Sequence, residues 1–384
     1  MRAFRAQEHA AGTYDPHMAA ARPRVGLVLG AGGVLGGAWL SGALHALATE
    51  TGWDPGSADH IVGTSAGSMI GALLASGIPP WFMVAHSSGE QFGPIAAVQG
   101  AQPTEDDRSA GAVYRLQRRT PSLGPGSWSL ALGSMARPYR HAPATVLAGW
   151  LPRGLISTEP LKATVRRACP QGWAPHPGFF AIACDYRDGR RVAFGRHDAP
   201  PAELADAVAA SCAIPGFYHP VAIAGREYVD GGVRSTSNLD VLRGTGCDLV
   251  IALNPMSSLH EARPRTLAER AAMSMRSAAG RRLGSEARRL RREGVEVLLI
   301  QPTVHDLDAM GTNLMSSRRR HEVVERAVES VSAHLRESGI GADLAARLPA
   351  GTPALVHRPR GPAARWPSFR ELALARHAAL GTAA

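Results

Sequence analysis

A serine between two glycines is the clearest chemical signal in the chain, in the stretch Gly63-Thr-Ser-Ala-Gly67. A short apolar strand, His60 to Val62, precedes it, and an apolar helix from about Ser68 to Ala75 follows. This is the G-x-S-x-G nucleophile elbow, a tight turn that lifts a serine hydroxyl out of a sheet. Strand and helix nearly touch there, so only residues with little or no side chain fit at the two glycines. The pattern favours Ser65 as a nucleophile; the alternative is a structural turn in which Ser65 only caps the helix.

A second glycine-rich loop, Gly30-Ala-Gly-Gly-Val-Leu-Gly36, lies between a buried strand, Arg24–Leu29, and a helix from about Gly37 to Thr49. A dinucleotide-binding G-x-G-x-x-G would need glycine at Leu35, and no acidic residue ends a clear second strand about 20 residues on. The backbone N–H groups of the loop can instead stabilise negative charge on a substrate. A crossover of about thirty residues to the elbow strand predicts parallel neighbours, with both turns at one edge of the sheet.

A serine needs a positioned base to act as a nucleophile, and the candidate is Asp230. This residue follows a pair of short strands, Val221–Ala224 and Glu227–Val229, and Gly231-Gly232 let the chain turn away while the carboxylate faces the site. Taken alone, an Asp-Gly pair is more often simple turn chemistry. The segment Ala210-Ser-Cys-Ala-Ile-Pro-Gly216 shortly upstream favours the catalytic interpretation.

Four motifs of this chain resemble, in order and approximate spacing, those of the patatin-like phospholipases. They are Gly30–Gly36, Gly63–Gly67, Ala210–Gly216 and Asp230–Gly232. The resemblance covers about residues 24 to 335, where Gln301-Pro302 and Met310-Gly-Thr-Asn313 are similar to a late strand and loop of bacterial members. It implies an α/β three-layer sandwich with a mainly parallel central sheet and a helical cap insertion. The implied activity is that of a lipid acyl hydrolase, of the phospholipase A or esterase type.

The resemblance also implies a mechanism, a Ser–Asp dyad that works without histidine through an acyl-enzyme intermediate. Carried over by position, Ser65 is the nucleophile and Asp230 the base. Leu35 stands where the family usually has Arg or Lys, so no headgroup preference carries over with the motif. The implied substrate is a phospholipid or another acyl-ester lipid. The implied oxyanion donors are the backbone amides of Gly32, Gly33 and Val34.

Two other functions fit parts of the pattern. In an α/β-hydrolase the chain order is Ser, acid, His, and His305, after the last strand, is the best candidate histidine; the others are His260 and His321. A non-catalytic lipid- or membrane-binding homologue is the second, and Leu35 is its main motivation. Arginine runs such as Arg288–Arg292 predict a solvated helix face rather than nucleic-acid binding, because no recognition motif accompanies them.

The composition is that of a globular protein with a basic balance. The chain has 384 residues, 45% of them hydrophobic, and a formal net charge of +10. This charge favours contact with anionic surfaces such as phospholipid headgroups. Four scattered cysteines without ligand spacing predict reduced thiols and no metal site, and no cofactor is expected. We expect a cytoplasmic protein without a signal peptide, with peripheral contact at the inner membrane face and an oligomeric state that the sequence leaves open.

The elements that must position these residues form one catalytic domain over residues 23–340, with a helical cap or lid insertion over residues 80–160. Residues 1–22 are predicted to be a disordered tail and residues 341–384 a C-terminal tail. Within the cap, helical pieces are predicted around residues 110–119, 127–135 and 143–151. The other predicted elements are a hairpin at 178–185 and 190–194, helices at 202–212, 264–293 and 318–336, and strands at 248–253 and 295–301.

Overall fold

A single mixed sheet of eight strands organises the molecule. The computed structural model describes residues 22–88, 114–116, 124–136, 142–170, 172–258, 266–361 and 371. The strands are β1 Val25–Leu29, β2 His60–Thr64, β3 Phe179–Asp185, β4 Arg191–Phe194, β5 Val221–Ile223, β6 Arg226–Asp230, β7 Leu249–Leu253 and β8 Glu296–Ile300.

The sheet is parallel through its centre and antiparallel at one side. β3, β2, β1, β7 and β8 lie side by side in that order, and each neighbouring pair is parallel. β4, β5 and β6 add antiparallel pairings beyond β3. β1 and β7 are buried along their whole length, as expected for central strands covered on both faces. The predicted fold class is confirmed, including the parallel pairing of β1 with the elbow strand.

Helices cover the two faces of the sheet unequally. Alternate residues of β1 divide between two cores: Leu27 and Leu29 pack into a large core, and Val28 packs into a smaller one. The smaller core is closed chiefly by the long helix α8. The helices are α1 Gly33–Thr51, α2 Ala66–Ala75, α3 Pro80–Ser87, α4 Trp128–Ala136, α5 Pro143–Trp150, α6 Glu159–Ala168, α7 Leu204–Ser211, α8 Leu267–Arg292, α9 Val304–Met310, α10 Arg320–Glu337, α11 Ile340–Arg347 and α12 Pro353–Val356.

Two boundaries differ from the prediction. α1 begins at Gly33, inside the stretch predicted to be a loop up to Gly36, because the Gly36 N–H donates to the carbonyl of Gly32 and closes the first turn. The domain also continues past residue 340: Leu344 is buried in the large core, and Leu355 packs against Trp81. The predicted C-terminal tail is therefore in part a packed portion of the domain. The predicted N-terminal tail up to residue 21 lies outside the described residues, as do residues 110–113 and 117–119 of the predicted helical piece. The described part of that piece, residues 114–116, is not helical, and Leu116 forms an isolated antiparallel bridge with Ile156.

Two helices of the predicted cap region, α4 and α5, pack together beside the strand that ends in Asp230. Leu130 of α4 is buried against Val229 of β6. The Thr145 hydroxyl of α5 donates to the carbonyl of Val233, just after the Asp230 turn, at 2.9 Å. α3, although inside the predicted cap range, packs instead on α1, and its Met83 belongs to the large core.

Candidate active site

The elbow places Ser65 in a backbone conformation that side chains rarely adopt. Its φ is 52° and its ψ −121°, between the end of β2 and the start of α2. The glycines on either side make this turn possible by their lack of side chains. A Cβ atom on Gly63 would lie 2.4 Å from the Cα of Ser68, and one on Gly67 would lie 2.0 Å from the carbonyl oxygen of Leu29. Strand and helix are too close for any other residue, as the sequence predicts.

One edge of β3 carries both halves of the site. Along this edge β3 pairs first with β2, up to Thr64 opposite Ile182, and then with β6, whose Asp230 lies opposite Ala183. β4 pairs with the same residues of β3 and therefore occupies the other edge. The residue before Ser65 and the carboxylate residue itself thus lie opposite consecutive residues of one strand. The register of β3 brings hydroxyl and carboxylate together.

Ser211, at the end of α7, fills the gap where β2 gives way to β6. Its hydroxyl oxygen accepts the backbone N–H of Ser65 at 2.9 Å, and the same hydroxyl donates to the carbonyl of Ile182 at 2.6 Å. Both partners are buried, so without this hydroxyl each of them would lose its hydrogen bond. The Ser211 hydroxyl therefore bridges Ser65, after the end of β2, to Ile182 of β3, at the point where the backbone pairing of β3 passes from β2 to β6.

Cys212 and Ala213, which follow Ser211, hydrogen-bond to the backbones of Ser65 and Asp230 respectively. The Cys212 thiol donates to the carbonyl of Ser65 at 3.2 Å. Burial, and then the charge of Asp230, raise the pKa of this thiol to about 12, so that it remains a protonated donor. The carbonyl of Ala213 accepts the backbone N–H of Asp230 at 2.9 Å. The backbones of Ser65 and Asp230 are therefore fixed by neighbouring residues of one segment.

The Asp230 carboxyl group is buried, with 4% of the residue exposed. Burial raises its pKa to about 6, although hydrogen bonds from the Ser65 hydroxyl and from the backbone N–H of Gly232 favour the charged form. The Gly232 N–H lies 2.7 Å from Oδ1. A carboxylate of this pKa accepts a proton more readily than an exposed aspartate, whose pKa is about 3.9.

The amides of the glycine loop divide into two sets. Four of them donate to carbonyls nearby: Gly30 to Leu253, Ala31 to Thr236, Leu35 to Leu314 and Gly36 to Gly32. Within the described residues, no acceptor is found for the remaining three, and these are the predicted oxyanion donors, Gly32, Gly33 and Val34. They form the N-terminus of α1, where backbone N–H groups and the helix dipole both favour negative charge.

The glycine loop lies next to the Asp230 turn. A Cβ atom on Gly232 would lie 3.6 Å from the Cβ of Ala31. On the elbow side, a Cβ on Gly37 of α1 would lie 3.8 Å from the Cβ of Ala66, which follows the serine. Ser65, Asp230 and the unpaired amides therefore converge at the carboxyl ends of β1 and β2, where open parallel sheets bind their ligands.

A polar network behind the acid holds its turn. Asn238 has a left-handed backbone, with φ of 51°, and its amide nitrogen donates to the hydroxyl of Thr64 at 3.1 Å and to the carbonyl of Ser235 at 2.6 Å. Its oxygen accepts from Arg191 at 3.2 Å. The elbow strand and the segment after the acid are therefore joined through one side chain.

Glu286 of α8 stabilises the same segment from the other side. It is fully buried and accepts the hydroxyl of Ser237 at 2.7 Å and the backbone N–H of Leu239 at 3.0 Å. Arg282, one turn earlier on the helix, donates to its other oxygen at 2.8 Å. The buried charge is thus fully hydrogen-bonded, as such groups require.

The profile of the patatin-like phospholipases matches residues 27–243 of the chain. This span is more than half of the sequence and includes both Ser65 and Asp230. The chain belongs to the patatin-like phospholipase family. The resemblance drawn from the four motifs is thereby confirmed, and the family makes the chain a lipid acyl hydrolase with a lipid substrate. Among solved structures, VipD from Legionella pneumophila is similar to it, with 15% identity and a TM-score of 0.32, over 83% of this chain and 67% of that chain.

The Leu35 side chain, at the position where the resemblance implies Arg or Lys, packs into the interior. It is 1% exposed and belongs to the large apolar core. Its backbone N–H donates to the carbonyl of Leu314 at 3.0 Å. Leucine at this position therefore contributes to packing and contributes no charge, while the three unpaired amides of the loop are unaffected.

The candidate histidine of the alternative triad lies apart from these contacts. His305 is exposed on α9, and within the described part of the chain the hydrogen bonds of Ser65 and Asp230 involve no histidine. His321 is likewise exposed, and His260 falls outside the described residues. Neither of the two described candidates, His305 and His321, therefore takes part in the hydrogen bonds of Ser65 and Asp230.

Sequence reasoning missed two residues of this site. Ser211 lies within a motif recognised from the sequence, but nothing in its local pattern indicates that its hydroxyl reaches an elbow 146 positions earlier. Asn238 gives a weak signal, since Asn is one of the few residues that adopts a left-handed backbone readily. Both act through long-range contacts that only the folded chain reveals.

Proposed function

We propose that this chain hydrolyses acyl esters of lipids with Ser65 as nucleophile and Asp230 as the general base. The observation that carries the proposal is the register of β3, which places Thr64, next to Ser65, and the buried Asp230 opposite consecutive residues of one strand. The raised pKa of Asp230, about 6, agrees with a role as base. The unpaired amides of the glycine loop, next to both residues, support it as the oxyanion hole. The activity is that of a serine esterase or phospholipase A.

The first half of the reaction is acylation. The Ser65 Oγ attacks the carbonyl carbon of the ester while its proton passes to Asp230. The carbonyl oxygen becomes an oxyanion and accepts hydrogen bonds from the N–H groups of Gly32, Gly33 and Val34, each such donor being worth roughly 3 kcal/mol of barrier. When the tetrahedral intermediate collapses, the bond to the alcohol breaks, and the alcohol leaves with the proton from Asp230. The acyl group remains on Ser65.

The second half regenerates the enzyme. Asp230, again a carboxylate, takes a proton from a water molecule as the water oxygen attacks the acyl carbon. The same amides hold the new oxyanion. Collapse breaks the bond to the Ser65 oxygen, which receives the proton from Asp230, and a fatty acid is released. Each proton that leaves a nucleophile thus reaches a leaving group through one carboxyl group, and no imidazole is needed.

The experiment is hydrolysis of a panel of acyl esters and phospholipids by wild type, Ser65→Ala, Asp230→Asn and His305→Ala. We expect the first two variants to lose at least about 10³-fold in kcat/KM and the third to retain wild-type activity. A fluorophosphonate probe should label wild type and fail to label Ser65→Ala. Loss of activity in His305→Ala would favour a triad. Folded wild-type protein that is neither labelled nor active would favour a non-catalytic lipid-binding role.

We propose further that the enzyme works at an anionic lipid surface as a peripheral protein. Within the described residues, no helix has the length and apolar character needed to cross a bilayer. The outer faces of α4 and α5 are instead apolar at helical spacing, and together with a net charge of +10 they fit the interface of an anionic membrane. These exposed side chains, here called the cap face, are Trp128, Leu132, Met135, Leu147 and Trp150.

Sedimentation with vesicles tests the cap face. We expect the double variant Trp128→Ala, Leu132→Asp to lose at least about tenfold in affinity for vesicles that contain phosphatidylglycerol, while it cleaves a water-soluble ester normally. The matched control is Met275→Asp, which changes an equally exposed apolar residue on α8. If both variants bind vesicles alike, or if the cap-face variant differs only in its oligomeric state, the lipid-surface role is contradicted.

A further inference from the structure

A cavity of about 500 Å³ opens beside the glycine loop. One wall is apolar and includes Ile156, Phe217 and Met315. The ring of Tyr114 meets that of Phe217 edge to face, with centroids 5.4 Å apart, and the Tyr114 hydroxyl donates to the carbonyl of Met315 at 2.5 Å. The contacts between these residues fix the apolar wall, so the cavity has a defined shape.

The cavity adjoins the candidate oxyanion hole through the loop before α10. A Cβ atom on Gly33 would lie 2.9 Å from the carbonyl oxygen of Leu314 and 3.0 Å from the Sδ of Met315. Phe217, on the opposite side, follows closely after Ala213, whose carbonyl accepts the Asp230 N–H. The cavity therefore lies between the glycine loop and the segment that fixes nucleophile and acid.

The rim of the cavity is rich in hydrogen-bond donors. Arg318 is exposed there, and within the described residues no carboxylate pairs with it, whereas its neighbour Arg319 forms an ion pair with Glu322 at 3.0 Å. Ser317 contributes a hydroxyl group. Asn313 accepts the Met315 N–H with its side-chain oxygen at 3.2 Å, which leaves the NH₂ group of its amide as a donor.

The charge of this lining favours an anion. The residues that line the cavity include no aspartate or glutamate among those described. A guanidinium, a hydroxyl and an amide NH₂ are the groups that bind phosphate oxygens, and guanidinium does so with two parallel N–H bonds. The apolar wall on the other side suits hydrocarbon. A ligand that joins a phosphate to an apolar part matches both surfaces.

We propose that this cavity, here called the headgroup pocket, binds the phosphate group of a phospholipid substrate, with Arg318 as the residue that selects phosphate-bearing over neutral lipids. This proposal rests on the proposed acyl-hydrolase function. The loop amides next to the pocket then receive the ester carbonyl while the pocket holds the headgroup. Leu35 supplies no cation to this side of the site, and among the described residues that line the pocket the positive charge is the guanidinium of Arg318.

The test compares short-chain diacyl phospholipids, used as monomers below their micellar concentration, with a diacylglycerol of the same chain length. Monomers remove any effect of Arg318 on binding to a charged surface. We expect Arg318→Ala to lower the ratio of kcat/KM on phospholipid to that on diacylglycerol about tenfold. Arg318→Glu should lower this ratio further, and Arg318→Lys should restore part of it because the charge remains.

The matched control is Arg326→Ala, which removes the same charge from an exposed position on α10, away from the pocket. It should leave the ratio within twofold of wild type. If Arg318→Ala and Arg326→Ala give the same ratio, the headgroup pocket is contradicted. Circular dichroism and thermal melting of both variants show that the comparison concerns folded proteins.

A binding experiment distinguishes a lipid headgroup from free phosphate as the ligand. It also tests the headgroup pocket separately from the proposed acyl-hydrolase function. Calorimetric titration of wild type and Arg318→Ala with inorganic phosphate and with glycerol 3-phosphate reports on the pocket without catalysis. Arg318-dependent binding of both, together with the shifted substrate ratio, supports a headgroup site. Binding of phosphate without any change in substrate ratio would assign the pocket to a free phosphate and overturn the headgroup assignment. Absence of all esterase activity in wild type would instead contradict the proposed function, while this titration still tests the pocket.

Discussion

The two turns that meet in the candidate site differ in what restricts them most. The elbow around Ser65 is restricted by close backbone packing: its flanking glycines leave no room for a single methyl group, and the Ser211 and Cys212 side chains add hydrogen bonds to the Ser65 backbone. The turn after Asp230 has ordinary backbone angles, with φ of −49°, and is held by side chains. Its Asn238 and the buried Glu286 hydrogen-bond to the segment that follows the acid.

This contrast suits the roles proposed for the two residues. A nucleophile that must attack from a strained position requires surroundings that tolerate no other geometry, and close backbone contact provides this. The pKa of a general base depends on its burial and on the hydrogen-bond donors around it, and the side chains that surround the base set both. We therefore expect the protein to lose most of its stability when a methyl group is added at the elbow. Removal of single polar groups at the Asp230 turn should lower the stability by smaller amounts.

The largest effect is expected from Gly67→Ala, because its Cβ would lie 2.0 Å from a backbone oxygen that cannot move without distorting β1. We expect a loss of at least about 4 kcal/mol in the free energy of unfolding, or no soluble protein at all. The control is Gly37→Ala, whose Cβ would meet nothing closer than 3.8 Å. Urea unfolding of the pair measures the difference, and equal stabilities would contradict the steric account of the elbow.

Asp230→Asn tests the acid turn through pH. The folded-state pKa of Asp230 is raised to about 6, above its value in the unfolded chain, so its stabilising contribution is present below about pH 4 and is lost as the pH rises through 6. Asn cannot ionise. From pH 4 to pH 8, the stability of the variant relative to wild type should therefore rise by roughly 3 kcal/mol. A relative stability that is independent of pH would contradict the raised pKa.

The same pKa predicts the pH dependence of catalysis. Because the base must be ionised to accept the Ser65 proton, kcat/KM of wild type on a neutral soluble ester should rise about tenfold per pH unit below 6 and level off above it. Stopped assays between pH 4 and pH 9 measure this profile. A profile that levels off near pH 4 would indicate that the carboxyl group is not the desolvated base described above.

Substitutions of Asn238 distinguish the contribution of its side-chain hydrogen bonds from that of its left-handed backbone. Asn238→Gly keeps the left-handed backbone but removes the amide, and we expect it to cost roughly 2 kcal/mol of stability through the lost bonds to Thr64 and Ser235. Asn238→Ala adds backbone strain and should cost about 1 kcal/mol more. Chemical unfolding of both variants resolves the two contributions. If Gly and Ala are equally destabilising, backbone strain has no part in this turn.

The smallest change in stability is expected at the link between the turns, in Ser211→Ala. The Ser65 N–H and the Ile182 carbonyl both lose their partner, which should cost about 1–2 kcal/mol. Activity should fall more than stability suggests, by about tenfold in kcat with KM little changed, because the backbone of the nucleophile loses a constraint. Ser211→Thr, which keeps the hydroxyl, should restore activity. Equal activity of the Ala and Thr variants would remove Ser211 from the positioning of Ser65.

Much of this architecture could be predicted from the sequence because the relevant signals are local. The elbow is a steric motif of five residues, and short apolar runs mark the central strands with errors of one or two positions. The start of α1 was misplaced because glycines signal a loop wherever they occur, whereas here Gly33 opens a helix. The packing of Leu344 and Leu355 was missed because a short apolar segment near a chain end has no periodicity to announce it.

The two central residues of the candidate site could be predicted from the sequence, but the residues that hold them in place could not. Ser65 and Asp230 carry motifs, and the structure brings them together; their catalytic roles remain predictions. Ser211 and Glu286 have no local signature, since each acts through partners far along the chain. The sequence also gives no indication that Arg318 lines a cavity beside the glycine loop, because this depends on how the loop before α10 folds back onto α1.

The shared edge of β3 has a consequence for the newly made protein. Ser65 emerges from the ribosome early, but its partner Asp230 joins only when β3 is already present to align β2 with β6. On the proposed mechanism, a partly synthesised or truncated chain that ends before residue 230 has the serine without its base. Hydrolysis of lipids in the cell that makes the protein then requires that β2, β3 and β6 have paired.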